Sequence, residues 1–169
     1  YIMATFKING KNFATQDGTG EPTVSSNVVF PAGSVIGFNY AISTTEVNGI
    51  TADTWVTSGL SVSITPKKDN SKIYVIGTWG VAINNSGHTG YKVVRTGPSS
   101  QDLTIQATYT STGWIGGPSS YAAIDTPSST SECTYTLYLY VDTNTSNHYW
   151  NYDATFTPGG NLMVMEIQQ

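Results

Sequence analysis

Residues 133–141 alternate without a break. Cys133, Tyr135, Leu137, Leu139 and Val141 fall on one side, and Thr134, Thr136, Tyr138 and Tyr140 on the other. Successive side chains of a strand point to opposite faces, so this run predicts a strand with one apolar face and one Thr/Tyr face. A helical period of 3.6 residues would mix the two sets. The Thr/Tyr face carries no charge. It suits another protein surface or a sugar better than bulk water, because a phenol offers both an apolar ring and a hydrogen-bonding tip.

The two-residue period recurs along the chain. In residues 34–44 it groups Ile36, Phe38, Tyr40 and Ile42 on one face. In residues 54–65 it sends Leu60, Val62 and Ile64 inward and Ser61, Ser63 and Thr65 outward, with Gly59 marking a bulge or bend. Residues 72–83 are apolar on both faces: Ile73, Val75, Trp79 and Val81 oppose Tyr74, Ile76 and Ala82. That pattern predicts a central strand or one that faces a partner subunit.

Further strands are expected at 4–8, 28–30, 91–96, 103–109, 148–152 and 162–167. Asn9-Gly10 is a hairpin dipeptide. Residues 14–27 are expected as loop, and 111–131, rich in Gly, Pro and Ser, as loop with short extended pieces. No window keeps a helical period. Short strands at regular spacing predict an all-β fold, an antiparallel β-sandwich of jelly-roll-like kind. The sandwich is expected over residues 28–169, with residues 1–27 as an N-terminal arm or anchor. The opening Tyr1-Ile2-Met3 fits either a natural start at Met3 or a piece of a longer chain.

Charged residues make up 11% of the 169 positions, and Arg95 is the only arginine. The usual share is about 25%. A surface so poor in charge is either covered in an assembly or kept wet by hydroxyls and amides. The net charge is −4 and no basic run exists, which argues against nucleic-acid binding. No apolar run approaches the ~20 residues that span a bilayer, so membrane insertion is not expected. The single cysteine, Cys133, leaves no intrachain disulfide and is expected as a small buried hydrophobe.

The carboxylates are scattered singly. A glycosidase needs two across a cleft, and Asp125, Glu132 and Glu166 are the least implausible members. Each is expected as a solvated or edge-protecting group. His88 and His148 sit in turn-like surroundings, with Asp153 near the second. No metal-ligand spacing, nucleophile elbow or phosphate loop accompanies them, so neither metal, cofactor nor enzymatic activity is expected. Asn84-Asn85-Ser86 and Asn144-Thr145-Ser146 match the glycosylation pattern, as chance allows in a chain rich in these residues.

The aromatic residues are the better lead. Trp114, in the loop-like run 112–117, and the cluster Tyr149, Trp150 and Tyr152 are candidate ligand-binding residues that would stack on a glycan. Tyr74, Ile76, Tyr138 and Tyr140 are candidate oligomer-interface residues, where tyrosine is also favoured.

Several segments resemble a known family. Residues 27–36 (NVVFPAGSVI), 63–67 (SITPK) and 71–75 (SKIYV), then 134–137 (TYTL) and 162–167 (LMVMEI), stand in the order and spacing of one domain. That domain is the C-terminal β-sandwich found in tail-fibre and related virion structural proteins of marine and cyanobacterial bacteriophages. The resemblance covers residues 27–169. It implies an oligomeric, surface-exposed virion protein without enzymatic activity, a homotrimer being expected, with other virion proteins as partners. It carries no binding-residue signature. The family's domain ends long proteins, whereas here about 26 residues precede it, which suits a capsid decoration or tail tip as well as a tail fibre. The alternative is a receptor-binding module for host surface glycans. A polysaccharide-degrading enzyme is the third and weakest reading.

Overall fold

The computed structural model describes residues 4–16, 23–24, 28–48, 50–84, 87–111, 114–142, 148–151 and 159–169. Among these there is no helix. The chain divides into two compact units, Tyr1–Pro31 and Ala32–Gln169. The division falls after Pro31, where the sequence reading put it after residue 27.

The first unit is a small antiparallel sheet in the order β1 (Ala4–Ile8), β2 (Lys11–Gln16), β3 (Thr23–Val24). Asn9 and Gly10 both take positive φ, 50° and 78°, which is the hairpin geometry the dipeptide predicts. The expected loop at 14–27 therefore holds the end of β2 and all of β3. The strand expected at 28–30 does not form. Phe6 meets Phe13 edge-on, with ring centroids 5.7 Å apart.

The second unit contains β4 (Val35–Ser43), β5 (Val47–Asn48), β6 (Val56–Ile64), β7 (Lys72–Asn84), β8 (Gly87–Thr96), β9 (Gln101–Thr110), β10 (Trp114–Asp125), β11 (Cys133–Val141), β12 (His148–Trp150) and β13 (Gly160–Ile167). One sheet runs β4-β13-β7-β10, and the other β6-β11-β8-β9. Since β10 pairs with β7 along its length, β13 and β12 share the opposite edge of β7 in tandem, and β5 extends beyond β12. Eight strands (β4, β6–β11 and β13) thus divide four and four, and successive strands cross between sheets in the jelly-roll manner, except for the β8–β9 hairpin within one sheet.

The core lies between the sheets. All five odd-numbered residues of β11 are buried, as their alternation predicts, including Cys133. They pack against Leu60, Val62, Ile73, Val75, Leu162 and Val164, and Trp79 stands edge-on to Tyr91 at 4.9 Å. The register between β6 and β11 slips where Gly59 takes φ +77°, so the expected bulge is there.

Strand β10 departs from expectation. Its Gly116-Gly117-Pro118-Ser119-Ser120 stretch has turn composition, yet all of it pairs with β7. An edge strand allows this, because its outer side needs no N–H and Pro118 lacks one. Trp114 therefore opens a strand rather than sitting in a loop.

Candidate functional site

The outer face of the β4-β13-β7-β10 sheet is built from three cross-strand rows. Tyr40, Met163, Ile76 and Ala122 form one row, and Phe38, Met165, Tyr74 and Ile124 the next. Ile42, Asn161, Thr78 and Ser120 form the third, with the Asn161 amide donating to Thr78 Oγ1 at 2.7 Å. None of these twelve positions carries a charge. Lys72, opposite Ile167, marks the margin.

The rows arise because β7 and β13 are apolar on both faces. Their inward residues Ile73, Val75, Leu162 and Val164 fill the core, which leaves Tyr74, Ile76, Met163 and Met165 to face outward. On β4 the large residues lie outward while Gly37 and Ala41 turn in. Phe38 is 56% exposed, Tyr40 59% and Ile42 63%. Ile36, grouped with them by periodicity, is instead buried, because the β13–β4 register slips between Glu166 and Ile167. Strand spacing and rise give the face a footprint of roughly 400 Å². Nine of the twelve positions are apolar or tyrosine, and a contiguous patch of a few hundred Å² matches the largest apolar patch of a typical monomer, which is often functional.

The opposite sheet presents a different exterior. Ser63 and Thr134 share a hydrogen bond at 2.7 Å, and Lys92 pairs with Asp102. Trp55 lies against Tyr140, with centroids 5.1 Å apart, and Lys92 Nζ sits 4.6 Å from the indole centre. Gly90 leaves the room: a Cβ there would come within 3.3 Å of the Trp55 ring. Tyr140 donates to Asp53 Oδ1 at 2.8 Å, and that bond holds its phenol above the ordinary value. Much of the Thr/Tyr face is thus engaged by the chain's own side chains.

The four interface candidates do not form one surface. Tyr74 and Ile76 lie in the uncharged rows, whereas Tyr138 and Tyr140 lie on the other sheet. Among the ligand candidates, Trp150 is 1% exposed and belongs to the core, so its ring offers no surface to a sugar. That corrects the expectation: the strand alternates there, and Trp150 is on its inward side. Tyr149 is half-buried and already has an interaction partner. The Trp114 side chain and Tyr152 lie outside the described residues. What sequence reasoning missed is the trio Phe38, Tyr40 and Ile124; periodicity grouped the first two but could not say which way they face.

Two carboxylates expected at the surface are buried instead. Glu166 Oε1 accepts from the Lys67 and Lys68 amides at 2.7 and 3.2 Å and from Ser71 Oγ at 2.6 Å. Asp125 is paired with Arg95 and accepts from the Tyr135 phenol at 2.8 Å. Both hold structure, and Glu132 remains exposed. His88 Nδ1 is 2.8 Å from Asp142 Oδ2. Burial alone would raise Asp142, but its hydrogen bonds with His88 bring it below the ordinary carboxylate value. Among the described residues no group of three or more His, Cys, Asp or Glu could hold a metal ion. Asp153, the expected neighbour of His148, lies outside them.

A cavity of about 140 Å³ enters the sandwich between its open edges, β9 and β10. Val81 and Ile83 supply apolar walls, and Tyr91, Thr108 and Ser119 supply hydroxyls.

No protein-family model matches the chain, and no curated protein sequence matches it. Solved structures similar to it include one of the infectious bursal disease virus Gx strain, at 9% identity and TM-score 0.47, covering 96% of this chain and 41% of that one. A mutant VP2 protein of the same virus, from derived T=1 particles, is similar at 10% identity and TM-score 0.47, covering 98% of this chain and 40% of that one. The chain therefore spans about two fifths of the length of those proteins. At these scores the jelly-roll assignment stands on the strand order itself.

Proposed function

We propose that this chain is a structural protein of a virion: a jelly-roll module, without enzymatic activity, that assembles with further copies of itself. The outer face of β4-β13-β7-β10 carries this reading. Nine apolar or tyrosine side chains in neighbouring rows gain by leaving water, and a second copy offers the same neutral chemistry. The footprint of roughly 400 Å² is about half of the ~800 Å² that each partner buries in a standard stable interface. Such a contact is weak alone and firm when several close around a shell or a fibre tip, where one contact raises the local concentration for the next. A homotrimer is the expected closed form.

The virion setting rests on the resemblance of five ordered segments to phage tail-fibre domains and on fold-level analogy, since jelly rolls build many capsids. Within it, the reading is a bacteriophage tail fibre, tail tip or capsid decoration, with residues 1–27 as the anchor. Immunogold labelling of purified particles, using antibodies raised against residues 32–169, tests it. Regular labelling of heads or tails is expected, and unlabelled particles would overturn it.

A further inference from the structure

We infer that β9 is the site of a second contact between copies of this chain: its free edge pairs antiparallel with β9 of another copy, across a two-fold axis at Ala107. This contact lies on the sheet opposite the uncharged face. It rests on the assembly reading in one respect, because that face gathers the copies.

The two four-stranded sheets end in β4, β10, β6 and β9, and three of these edges are protected. β4 and β6 lie against each other, with the Asn39 side-chain amide donating to the Ser63 carbonyl at 2.8 Å. β10 carries Pro118, which has no N–H to offer, beside two glycines. Among the described residues β9 pairs with β8 alone, and from Leu103 to Thr110 it carries no charge, proline or glycine. Such an edge presents a row of N–H and C=O groups that is a template for another strand.

The side chains choose the partner and the register. Opposite residues of paired strands share a face, so outward side chains must meet outward ones. With the axis at Ala107, Ile105 lies opposite the partner's Tyr109, and Tyr109 opposite the partner's Ile105. Both are exposed in the single chain, and an aromatic residue opposite a β-branched one is a favoured cross-strand pair. His88 backs Tyr109, with ring centroids 4.8 Å apart. On the inward side Gln106 meets the partner's Thr108, amide against hydroxyl. An axis at Gln106 would instead set Ile105 against alanine and Tyr109 against Leu103, which is turned into the core where the β8–β9 register slips. A two-fold contact covers both edges at once and closes as a pair. Residues 104–110 span roughly 23 Å, and a strip of that length and ~10 Å depth is far below the ~800 Å² per partner of a standard interface. Alone it does not hold two chains together; it engages once the outer face has raised the local concentration.

Disulfide trapping in the full chain tests the proposal. Cys133 is buried, so a cysteine placed on the exposed part of β9 is the reactive one. At Ala107 the axis brings the two Cα atoms to ~4.5–5.5 Å, within disulfide range, whereas two copies of residue 105 stay roughly 14 Å apart. Under glutathione oxidation, at concentrations where the parent associates, Ala107→Cys should form a covalent dimer at least about tenfold faster than Ile105→Cys. That ratio reads the edge. The outer face sets only the absolute rates, which adding Phe38→Asp to both should lower while the ratio holds, so failure of the face and failure of the edge give different results. In the Ala107→Cys protein, Ile105→Lys with Tyr109→Lys sets like charges opposite each other twice and should slow trapping about tenfold. Ile105→Lys with Tyr109→Glu sets unlike charges opposite and should restore it. Equal rates for Ala107→Cys and Ile105→Cys, or equal trapping in the Lys/Lys and Lys/Glu variants, would overturn the proposal.

Discussion

Arg95 and Asp125 meet across the sandwich, with the guanidinium Nε 2.7 Å from Oδ2 and both side chains almost wholly buried. Arg95 is on β8 of one sheet, and Asp125 ends β10 of the other. Ser99 Oγ and Gln101 Oε1 accept from the remaining guanidinium nitrogens, each at 2.8 Å, and the Thr126 amide donates to Asp125. The chain's one arginine is thus spent on tying the two sheets together. Removing one member of a buried pair strands the other, at a cost of about 3–5 kcal/mol. Arg95→Met and Asp125→Asn should each lose about that much in urea melts. The double variant should lose clearly less than the sum, because neither charge is left alone.

Glu166 does similar work at the β6–β7 connection, as the acceptor for two amides and one hydroxyl. Glu166→Gln keeps the shape but weakens those bonds and should cost about 1–3 kcal/mol. Hydrogen exchange should quicken at the Lys67 and Lys68 amides and stay unchanged in β11. Equal exchange at these amides in the parent and in Glu166→Gln would show that the carboxylate does not hold this turn.

Stability should fall at both ends of the pH range. Burial pushes the Tyr121 phenol up to about 12, and Tyr135 is raised too, by burial and then by Asp125. A raised value means the folded state keeps a proton that the unfolded chain releases. That stabilisation is complete below the ordinary phenol value of ~10 and is lost as pH climbs beyond it. Alkaline melts should steepen above that point, and Tyr121→Phe should reduce the slope by one proton. Asp142 is lowered, so its contribution is present above the ordinary value of ~3.9 and lost as pH falls below it. Asp142→Asn should flatten this acid limb.

The strands were legible wherever one face is apolar and the other polar. In β6, Leu60, Val62 and Ile64 against Ser61 and Ser63 left no choice of face, and Gly59 announced its bulge. Periodicity loses its direction when both faces are apolar. For Phe38 and Tyr40, only the register against Met163 and Met165 shows that they look outward. The outer face also joins strands far apart in sequence, so no local window contains it. Strand β10 was hidden by Gly, Pro and Ser, which an edge strand tolerates and a central one does not. Burial of Asp125 depends on Arg95, thirty positions earlier and on the other sheet, which no spacing rule signals.

Self-association through the uncharged face is the centre of the account, and sedimentation equilibrium across micromolar to millimolar concentration tests it most directly. The 18.1-kDa chain should gain weight-average mass with concentration. Phe38→Asp, which places a charge at the β4 end of its row, at an exposed and therefore tolerant position, should hold it at the monomer mass. Thr134→Asp, on the opposite sheet, should associate like the parent. A parent that stays monomeric throughout, or a Phe38→Asp variant that associates as strongly, would contradict the account.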